Sequence, residues 1–382
     1  MPLLILLSFA TFVTGIGALG VVGVMTPLSR DLGLSPVGAG WVMSAYAIAY
    51  ALGSPLLTST TGQFDRRPVL VSGMAAFAIG AALAALATSP LALYGGRVVM
   101  ALGAGLFAPA AAAVAIASVA PERRGKALSM VYGGLTVSQV VGIPAGSYLS
   151  YLFGWTILFW GVTVAGLAMA AALAVLTPRG IKVAPATLTD LAAVLTDPRL
   201  AVAVLLTATA MGSAWTAYTF LAPIIEVKTG GGPELVGLLL GVYGLGSVAG
   251  NMLGGFLTDR VGPERALIFA TIIPVPLVAI LTLFPWNVAV GGVLLFAWAA
   301  AGWAFAIAQQ SRLVMLDPAR TQVLLALSAA CIYVGSSIGS TLGGIAMSYG
   351  GVPALGVATL AMGLVGIAHL ALTLKLGGRP AA

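Results

Sequence analysis

The chain has 382 residues, of which 60% are hydrophobic and only 7% are charged, and its formal net charge is +7. A water-soluble domain cannot hide this much apolar surface, so the composition excludes an ordinary soluble fold. The basic residues are dispersed and are not interleaved with aromatic residues, which argues against nucleic acid as a partner.

The apolar sequence predicts twelve membrane-spanning helices, because about 20 apolar residues cross a hydrocarbon core of about 30 Å. The first run lacks a basic leader and a small-residue cleavage site, so we interpret it as a retained span rather than a signal peptide. In chain order, the predicted helices cover residues 3–27, 37–58, 69–88, 91–117, 127–152, 156–177, 200–225, 235–257, 265–284, 288–313, 322–348 and 353–375.

Most basic residues fall in alternate connections or in the C-terminal tail. The positive-inside rule makes these connections cytoplasmic, and both termini then lie inside. The residues on which this orientation depends are Arg66, Arg67, Arg123, Arg124, Lys126, Arg179, Lys182, Arg199, Arg260, Arg265, Arg312, Arg320, Lys375 and Arg379.

The longest polar connection divides the predicted helices six and six. It predicts an N-terminal bundle over residues 1–177, a cytoplasmic linker over 178–199 and a C-terminal bundle over 200–382. Comparison of the chain with itself at an offset of 197 residues supports this division, because identical residues then match at equivalent points of the two halves. The two halves therefore run in parallel order, as in transporters with a membrane-normal pseudo-two-fold axis. The matched pairs are Gly40 and Gly237, Tyr46 and Tyr243, Gly53 and Gly250, Gly142 and Gly339, and Gly146 and Gly343.

Four segments carry a family resemblance. After helix 8 the chain reads Gly-Phe-Leu-Thr-Asp-Arg-Val-Gly over residues 255–262, and residues 61–67 form a weaker copy after helix 2. Helix 4 contains an arginine motif over residues 97–105, and helix 5 contains a glycine-proline motif over 142–146. Together these segments resemble the major facilitator superfamily, especially its twelve-helix drug:proton antiporters and arabinose-efflux permeases. The resemblance implies an all-α integral membrane fold with two pseudo-symmetric six-helix bundles.

The resemblance also assigns coupling and gating residues. Asp259 and Arg260 would latch the bundles through a helix dipole and lipid phosphate, unless the loop is only a charged turn that sets topology. Asp65 is the nearest acid in the first-half copy, where the family's acid position holds Gly62. Pro144 would kink helix 5.

Arg97 is placed well inside helix 4, where a charged side chain is costly. It should therefore face a partner or a wet cavity on a transport path, the alternative being snorkelling to the outer surface. The family usually uses a membrane carboxylate for proton coupling, yet all ten acids lie in loops or at helix ends. Asp31 or Glu226 would pair with Arg97 or titrate in an outward vestibule, the alternative being that either is simply solvated. His369 is the other side chain with a suitable pKa for carrying protons, although an apolar packing role is the interpretation we favour for it.

Aromatic and neutral polar residues at helical spacing form candidate substrate-binding faces. Such residues suit an amphipathic, weakly polar molecule, although many would instead serve as interhelical hydrogen bonders or interfacial anchors. The candidates are Tyr46, Tyr50, Thr136, Gln139, Trp215, Tyr218, Tyr243, Asn251, Trp298, Trp303, Gln309 and Tyr333.

The leading hypothesis is efflux of a small drug-like amphiphile across a bacterial inner membrane by alternating access, with proton antiport and multidrug resistance implied by the resemblance. The alternative is facilitated or proton-coupled efflux of a sugar or polyol. A membrane enzyme or sensor is a remote third class, because one histidine and no intramembrane acid supply neither a hydrolytic centre nor a metal site. We expect no cofactor, a small-molecule substrate, lipid and protons as partners, and a monomer.

Overall fold

The computed structural model describes residues 2–120, 123–181 and 193–377. Lys182, Arg379 and much of the predicted linker lie outside these ranges. The long helices are α1 Pro2–Asp31, α2 Pro36–Thr61, α3 Arg66–Ala85, α4 Pro90–Ala117, α5 Arg124–Phe153, α6 Thr156–Leu176, α7 Pro198–Tyr218, α8 Pro233–Val261, α9 Pro263–Leu283 and α10 Val288–Leu316, followed by a 57-residue helical stretch, Thr321–Gly377.

That last stretch is two helices joined at a kink. Gly350 and Gly351 have non-helical backbone angles, and φ of Gly351 is +61°, a value that favours glycine. We call the part before the kink α11 and the part after it α12. Eleven helical stretches in the described ranges are long and apolar enough to cross a membrane, and the kink makes twelve spans of them. The predicted all-α membrane fold is confirmed.

Several spans depart from regular α geometry. α1 passes through a 3-10 segment, Gly20–Val24, and α5 contains a π-helical turn, Ser138–Gly142, just before Pro144. Proline has no N–H to donate to the carbonyl of the preceding helical turn. A wider, π-helical turn is one way in which a helix accommodates this missing hydrogen bond. The bend expected at Pro144 is therefore accompanied by a change of helix type. α9 is interrupted at Ile273, before another proline.

Polar side chains cap several helix starts. Asp197 accepts a hydrogen bond from the N–H of Arg199 at 2.9 Å at the start of α7, and Asn287 accepts one from Val290 at 2.9 Å at the start of α10. Each cap satisfies a backbone donor that has no partner inside its own helix. After α7, a short helix, Leu221–Thr229, precedes the turn to α8.

The chain forms two compact units. Unit 1 comprises the described residues of Met1–Leu34 and Ala45–Pro185, and unit 2 those of Ser35–Ser44 and Ala186–Ala382. Glycine governs close packing in each. In unit 1, Gly73 and Gly103 let α3 and α4 meet backbone to backbone.

In unit 2, three glycines four residues apart on α11 form the smooth face that their spacing predicts. A Cβ at Gly335, Gly339 or Gly343 would overlap a backbone carbonyl oxygen of α7. The repeat pair Gly142 and Gly339 occupies equivalent interfaces, because Gly142 contacts α1 and Gly339 contacts α7. The 197-residue offset therefore relates equivalent helix contacts as well as identical residue types.

Candidate functional site

In unit 1, Arg97 joins three helices. Its side chain is completely buried on α4, and its guanidinium donates to the carbonyl oxygens of Gly17 at 2.6 Å and Ala18 at 2.9 Å on α1. The same guanidinium lies 4.5 Å from the ring centroid of Tyr46 on α2. Burial excludes snorkelling to the outer surface, and the arrangement supplies the partners that an intramembrane arginine requires.

The backbone of α1 explains why its carbonyls accept these bonds. The regular α-helix ends at Leu19, where the 3-10 segment begins. The last carbonyls of an α-helical segment lack their normal i+4 donors and carry partial negative charge. Arg97 therefore stabilises a break in α1 electrostatically. Tyr50, one turn after Tyr46, stacks on it with ring centroids 6.3 Å apart.

In unit 2, predicted binding residues from three helices form a continuous aromatic cluster. Trp215 and Tyr218 of α7 meet edge to face at 4.9 Å, Tyr218 lies 5.1 Å from Tyr243 of α8, and Tyr243 lies 5.4 Å from Trp298 of α10. Trp303 forms a side-chain hydrogen bond with Tyr243. Because ring faces, edges and hydroxyls are combined, the cluster can contact an apolar body and bind its polar groups. We call these five residues the aromatic cluster.

The two predicted glutamines differ in their contacts. Gln309 is 1% exposed, and its Nε2 donates to the Ala203 carbonyl at 2.7 Å and to Thr207 Oγ1 at 3.2 Å. Gln309 therefore ties α10 to α7. Gln139 lies in the π-helical turn of α5, is 3% exposed, and its Oε1 has no hydrogen-bond partner. The Oε1 of Gln309 likewise has no partner, but its Nε2 bonds to α7, whereas neither end of the Gln139 amide forms a hydrogen bond among the described residues. A buried amide without partners is costly, so Gln139 is the better candidate for a ligand contact.

The remaining binding candidates are partly buried and do not belong to the aromatic cluster. Thr136 lies on α5, three residues before Gln139, Asn251 lies on α8, and Tyr333 lies on α11. Each keeps a partly accessible side chain inside a membrane span. Sequence spacing therefore selects residues from the right helices but does not say which of them meet.

The loop after α2 forms hydrogen bonds to other residues of unit 1. Asp65 caps α3 by accepting from the N–H of Arg67 at 3.1 Å, and its other oxygen accepts from the N–H of Gly180 at 2.6 Å. These two backbone donors, Gly180 first, lower the pKa of the Asp65 carboxyl, which lies outside the spans. The Arg67 side chain donates to the carbonyl of Ala174 near the end of α6. Asp65 thus joins the start of α3 to the segment that follows α6.

The other predicted coupling residues lie at helix ends. Asp259 and Arg260 are exposed on the last turn of α8, and the Arg260 guanidinium lies 5.2 Å from the ring centroid of Phe256. Asp31 ends α1, where its carboxylate forms an exposed ion pair with Arg30 at 3.2 Å. Of the alternatives considered for Asp31, pairing with Arg97 is not observed in the part of the chain that the structure describes, and the carboxylate instead lies exposed beside its neighbour Arg30.

His369 links α12 to α7. Its Nε2 lies 3.0 Å from the carbonyl oxygen of Val202, and its Nδ1 lies 3.1 Å from Thr209 Oγ1. The first contact requires a proton on Nε2, while the hydroxyl can either donate to Nδ1 or accept from it. The side chain therefore has hydrogen-bond partners in both its neutral and its protonated form. Within the described ranges, no group of three His, Cys, Asp or Glu residues could hold a metal ion.

The sequence interpretation missed the burial of Arg66, which is 4% exposed, and of Arg312. Arg312, considered above only for its charge, is 3% exposed near the end of α10 and donates to Oγ1 and the carbonyl oxygen of Thr373 at 3.0 and 2.9 Å. Its Nε lies 3.7 Å from a carboxylate oxygen of Glu264. For Arg312, the signal available in the sequence was the one that singled out Arg97, an arginine inside an apolar helix.

Comparison with known proteins gives the family. The family model of the Major Facilitator Superfamily matches residues 7–318 and 204–381. The chain is 29% identical over 350 residues to the uncharacterized MFS-type transporter YtbD of Bacillus subtilis, covering 90% of this chain and 88% of the relative. It is 34% identical over 266 residues to a chloramphenicol resistance protein of Streptomyces lividans, covering 68% of each.

A solved structure agrees with the fold. The chain is similar to a bacterial homolog of the human lysosomal transporter Spinster, with a TM-score of 0.79, 16% identity, and coverage of 99% of this chain and 98% of that one. The twelve spans, the arginine motif of α4 and the family match agree. The chain is thus a multi-pass membrane transporter, not an enzyme, and it belongs to the Major Facilitator Superfamily.

Proposed function

We propose that the protein exports a small drug-like amphiphile across the bacterial inner membrane by alternating access, in exchange for protons. The observation that carries the substrate class is the aromatic cluster, in which four rings of three helices are in successive contact inside unit 2. Rings of this kind bind flat or bulky apolar bodies, and the tyrosine hydroxyls add a few polar contacts.

The polar candidates of unit 1, taken by themselves, suit a neutral or weakly polar substrate. Gln139 offers an amide oxygen without a donor, and Tyr46 and Tyr50 present stacked rings on α2. Arg97 is a buried cation, but it is already bound to two backbone carbonyls of α1 and to the ring of Tyr46. The name of the chloramphenicol resistance relative supplies a first compound to test.

Proton coupling requires groups that take up and release protons along the transport path. The acids in the described ranges lie in connections or close to helix ends, so His369 and Asp31 are the groups we assign to proton uptake and release. This distribution of acids favours a second candidate, facilitated efflux of a sugar or polyol. Uncoupled transport needs no titrating group within the membrane.

The orientation and the moving bodies belong to the same proposal. Both termini lie in the cytoplasm, and bundles 1–177 and 200–382, joined by the linker 178–199, are the two bodies that alternate. Asp259, Arg260 and Asp65 lie at the cytoplasmic ends of spans in this orientation and act in gating. The transporter acts as a monomer.

The test uses purified protein in liposomes with a pH-sensitive dye inside. Chloramphenicol, two cationic amphiphiles, arabinose and xylitol are added one at a time under an imposed pH gradient, while substrate movement is followed separately. Drug-dependent proton movement supports the proposal. Drug movement without proton movement leaves export but removes antiport, and movement of sugars alone replaces the substrate class with the second candidate.

A further inference from the structure

A cavity of about 490 Å³ opens at one end of unit 2. It lies where α7 begins, where α8 turns into α9 and where α10 ends. Its lining combines arginines with apolar side chains, and it is separate from the aromatic cluster. The lining residues are Arg199, Val261, Gly262, Pro263, Glu264, Arg265, Arg312, Met315 and Leu316.

The lining is strongly basic. Arg199, Arg265 and Arg312 contribute three positive charges and Glu264 one negative charge, which leaves two positive charges in excess. Like charges brought together at a membrane surface repel each other unless an anion lies between them. The cavity therefore attracts an anion.

Arg312 supplies a second and independent indication. Its side chain is 3% exposed, its two terminal nitrogens are used by Thr373, and its Nε has no hydrogen-bond partner. The nearest carboxylate oxygen, on Glu264, lies 3.7 Å from that Nε and is too distant for a hydrogen bond. Buried guanidinium donors are normally satisfied, so this Nε is left with only the longer ion-pair contact to Glu264.

The backbone adds donors at the same place. α9 begins at Pro263 after Gly262, whose φ of +87° allows the sharp turn from α8. The first N–H groups of a helix have no acceptor within it and form its positive end. Arginine forks together with a helix start are a recurring arrangement for binding phosphate.

Arg265 and Arg312 have no counterpart at the same position of the first half. The positions 197 residues before Arg312 and Arg265 hold Ala115 and Pro68, so the repeated fold does not require these charges. The apolar part of the lining is open, since Val261 is 41% exposed and Met315 is 68% exposed. Basic and exposed apolar groups side by side suit an amphiphile with an anionic head and hydrocarbon chains.

We propose that this cavity binds the phosphate diester of an anionic phospholipid, with Arg199, Arg265 and Arg312 on the phosphate and the acyl chains along Val261 and Met315. The headgroup comes from the leaflet that meets the start of α7. The site is built within unit 2 and is independent of the transported substrate. It would make the stability of unit 2 depend on lipid charge.

The test is a lipid titration of the purified protein in a neutral detergent, followed by thermal unfolding. Three probes are compared: phosphatidylglycerol, phosphatidylcholine and inorganic phosphate. The test variant is Arg199→Gln with Arg265→Gln, which leaves the buried Arg312 in place. The control is Arg320→Gln, a partly exposed arginine between α10 and α11 that does not line the cavity.

Phosphatidylglycerol should raise the unfolding temperature saturably, and phosphatidylcholine should not. The double variant should need at least tenfold more phosphatidylglycerol for the same shift, whereas Arg320→Gln should match the wild type. Equal responses to both lipids, or an unchanged response in the double variant, would overturn the site. A saturable response to inorganic phosphate without one to phosphatidylglycerol would overturn its assignment to lipid.

Discussion

The guanidinium of Arg97 lies 4.5 Å from the ring centroid of Tyr46, so a buried cation on α4 contacts the face of an aromatic side chain on α2. The same cation donates to the carbonyls of Gly17 and Ala18 on α1. One side chain thus joins three spans of unit 1, which makes it both a structural and a functional candidate.

Arg97→Lys should weaken this junction. A lysine ammonium is compact and cannot present two parallel donors to two carbonyls while lying flat on a ring. We expect a loss of unfolding free energy of about 1.5–3 kcal/mol, the usual contribution of hydrogen bonds to charged groups. Drug efflux should fall at least tenfold. Thermal unfolding and liposome efflux measure the two effects.

Arg30→Lys is the matched control for that substitution. Its side chain is 79% exposed and pairs with the adjacent Asp31, so lysine should replace it with little change in unfolding temperature. Equal behaviour of the two lysine variants would contradict the role given to Arg97.

Gln139→Leu should separate a binding role from a structural one. Because Gln139 Oε1 is buried without a hydrogen-bond partner, an apolar replacement should leave stability unchanged or slightly raised. If the amide contacts substrate, the KM for efflux should rise about tenfold, which corresponds to about 1.4 kcal/mol. Initial efflux rates against drug concentration give this value.

Gln309→Leu provides the contrast. Its amide nitrogen bonds to Ala203 and Thr207 of α7, so the change should lower the unfolding free energy by about 1–3 kcal/mol. A stable Gln309→Leu protein, or an unstable Gln139→Leu protein with normal KM, would reverse the assignments of the two amides.

Gly339→Ala should disrupt the contact between α7 and α11. The added Cβ would overlap the carbonyl oxygen of Gly212 and lie 2.9 Å from the nitrogen of Thr216, so the helices must separate. We expect a loss of about 1–3 kcal/mol, as for other overpacked sites. Thermal unfolding in detergent measures it.

Gly302→Ala controls for helix propensity. A Cβ at Gly302 on α10 meets no atom within 4 Å, so alanine should stabilise the protein by up to about 1 kcal/mol. Opposite signs for the two substitutions are expected. A stabilised Gly339→Ala protein would show that close approach of α7 and α11 is not needed.

Asp65→Asn should change how stability depends on pH. Hydrogen bonds from Gly180 and Arg67 lower the folded-state pKa of the Asp65 carboxyl below its ordinary value of 3.8. A group whose pKa is lower in the folded state stabilises the fold above the unfolded value and loses that contribution as pH falls through the folded value. Wild type should therefore be more stable than Asp65→Asn at pH 7, by a margin that shrinks below about pH 4. A margin independent of pH down to about 3 would contradict this.

The spans were predictable because the signal for each is local. α4 was expected over residues 91–117 and covers Pro90–Ala117, and α10 was expected over 288–313 and ends only one turn later, at Leu316. Length, hydropathy and turn residues fix such limits without knowledge of the neighbouring helices. The irregular turns within spans were not predictable, because Pro144 permits several accommodations and packing selects one.

The sequence was sufficient to predict which residues are candidates for the site, but not which of them are in contact. Sequence singled out Arg97 through its cost in hydrocarbon, yet its partners are backbone carbonyls, which every residue possesses and no pattern marks. Gln139 and Gln309 looked alike as buried amides. Only the surroundings distinguish them, since both keep an Oε1 without a donor but the Nε2 of Gln309 alone bonds to α7.

Turn glycines show what the two halves of the chain have retained. Gly33 and Gly230 have φ of +60° and +61°, Gly154 and Gly351 have φ of +88° and +61°, and each pair is 197 residues apart. A side chain in this backbone region costs about 1–2 kcal/mol. The two halves therefore place glycine at equivalent turns, although their charged residues differ. We expect a side chain at any of these four turns to strain the backbone, whichever half it lies in.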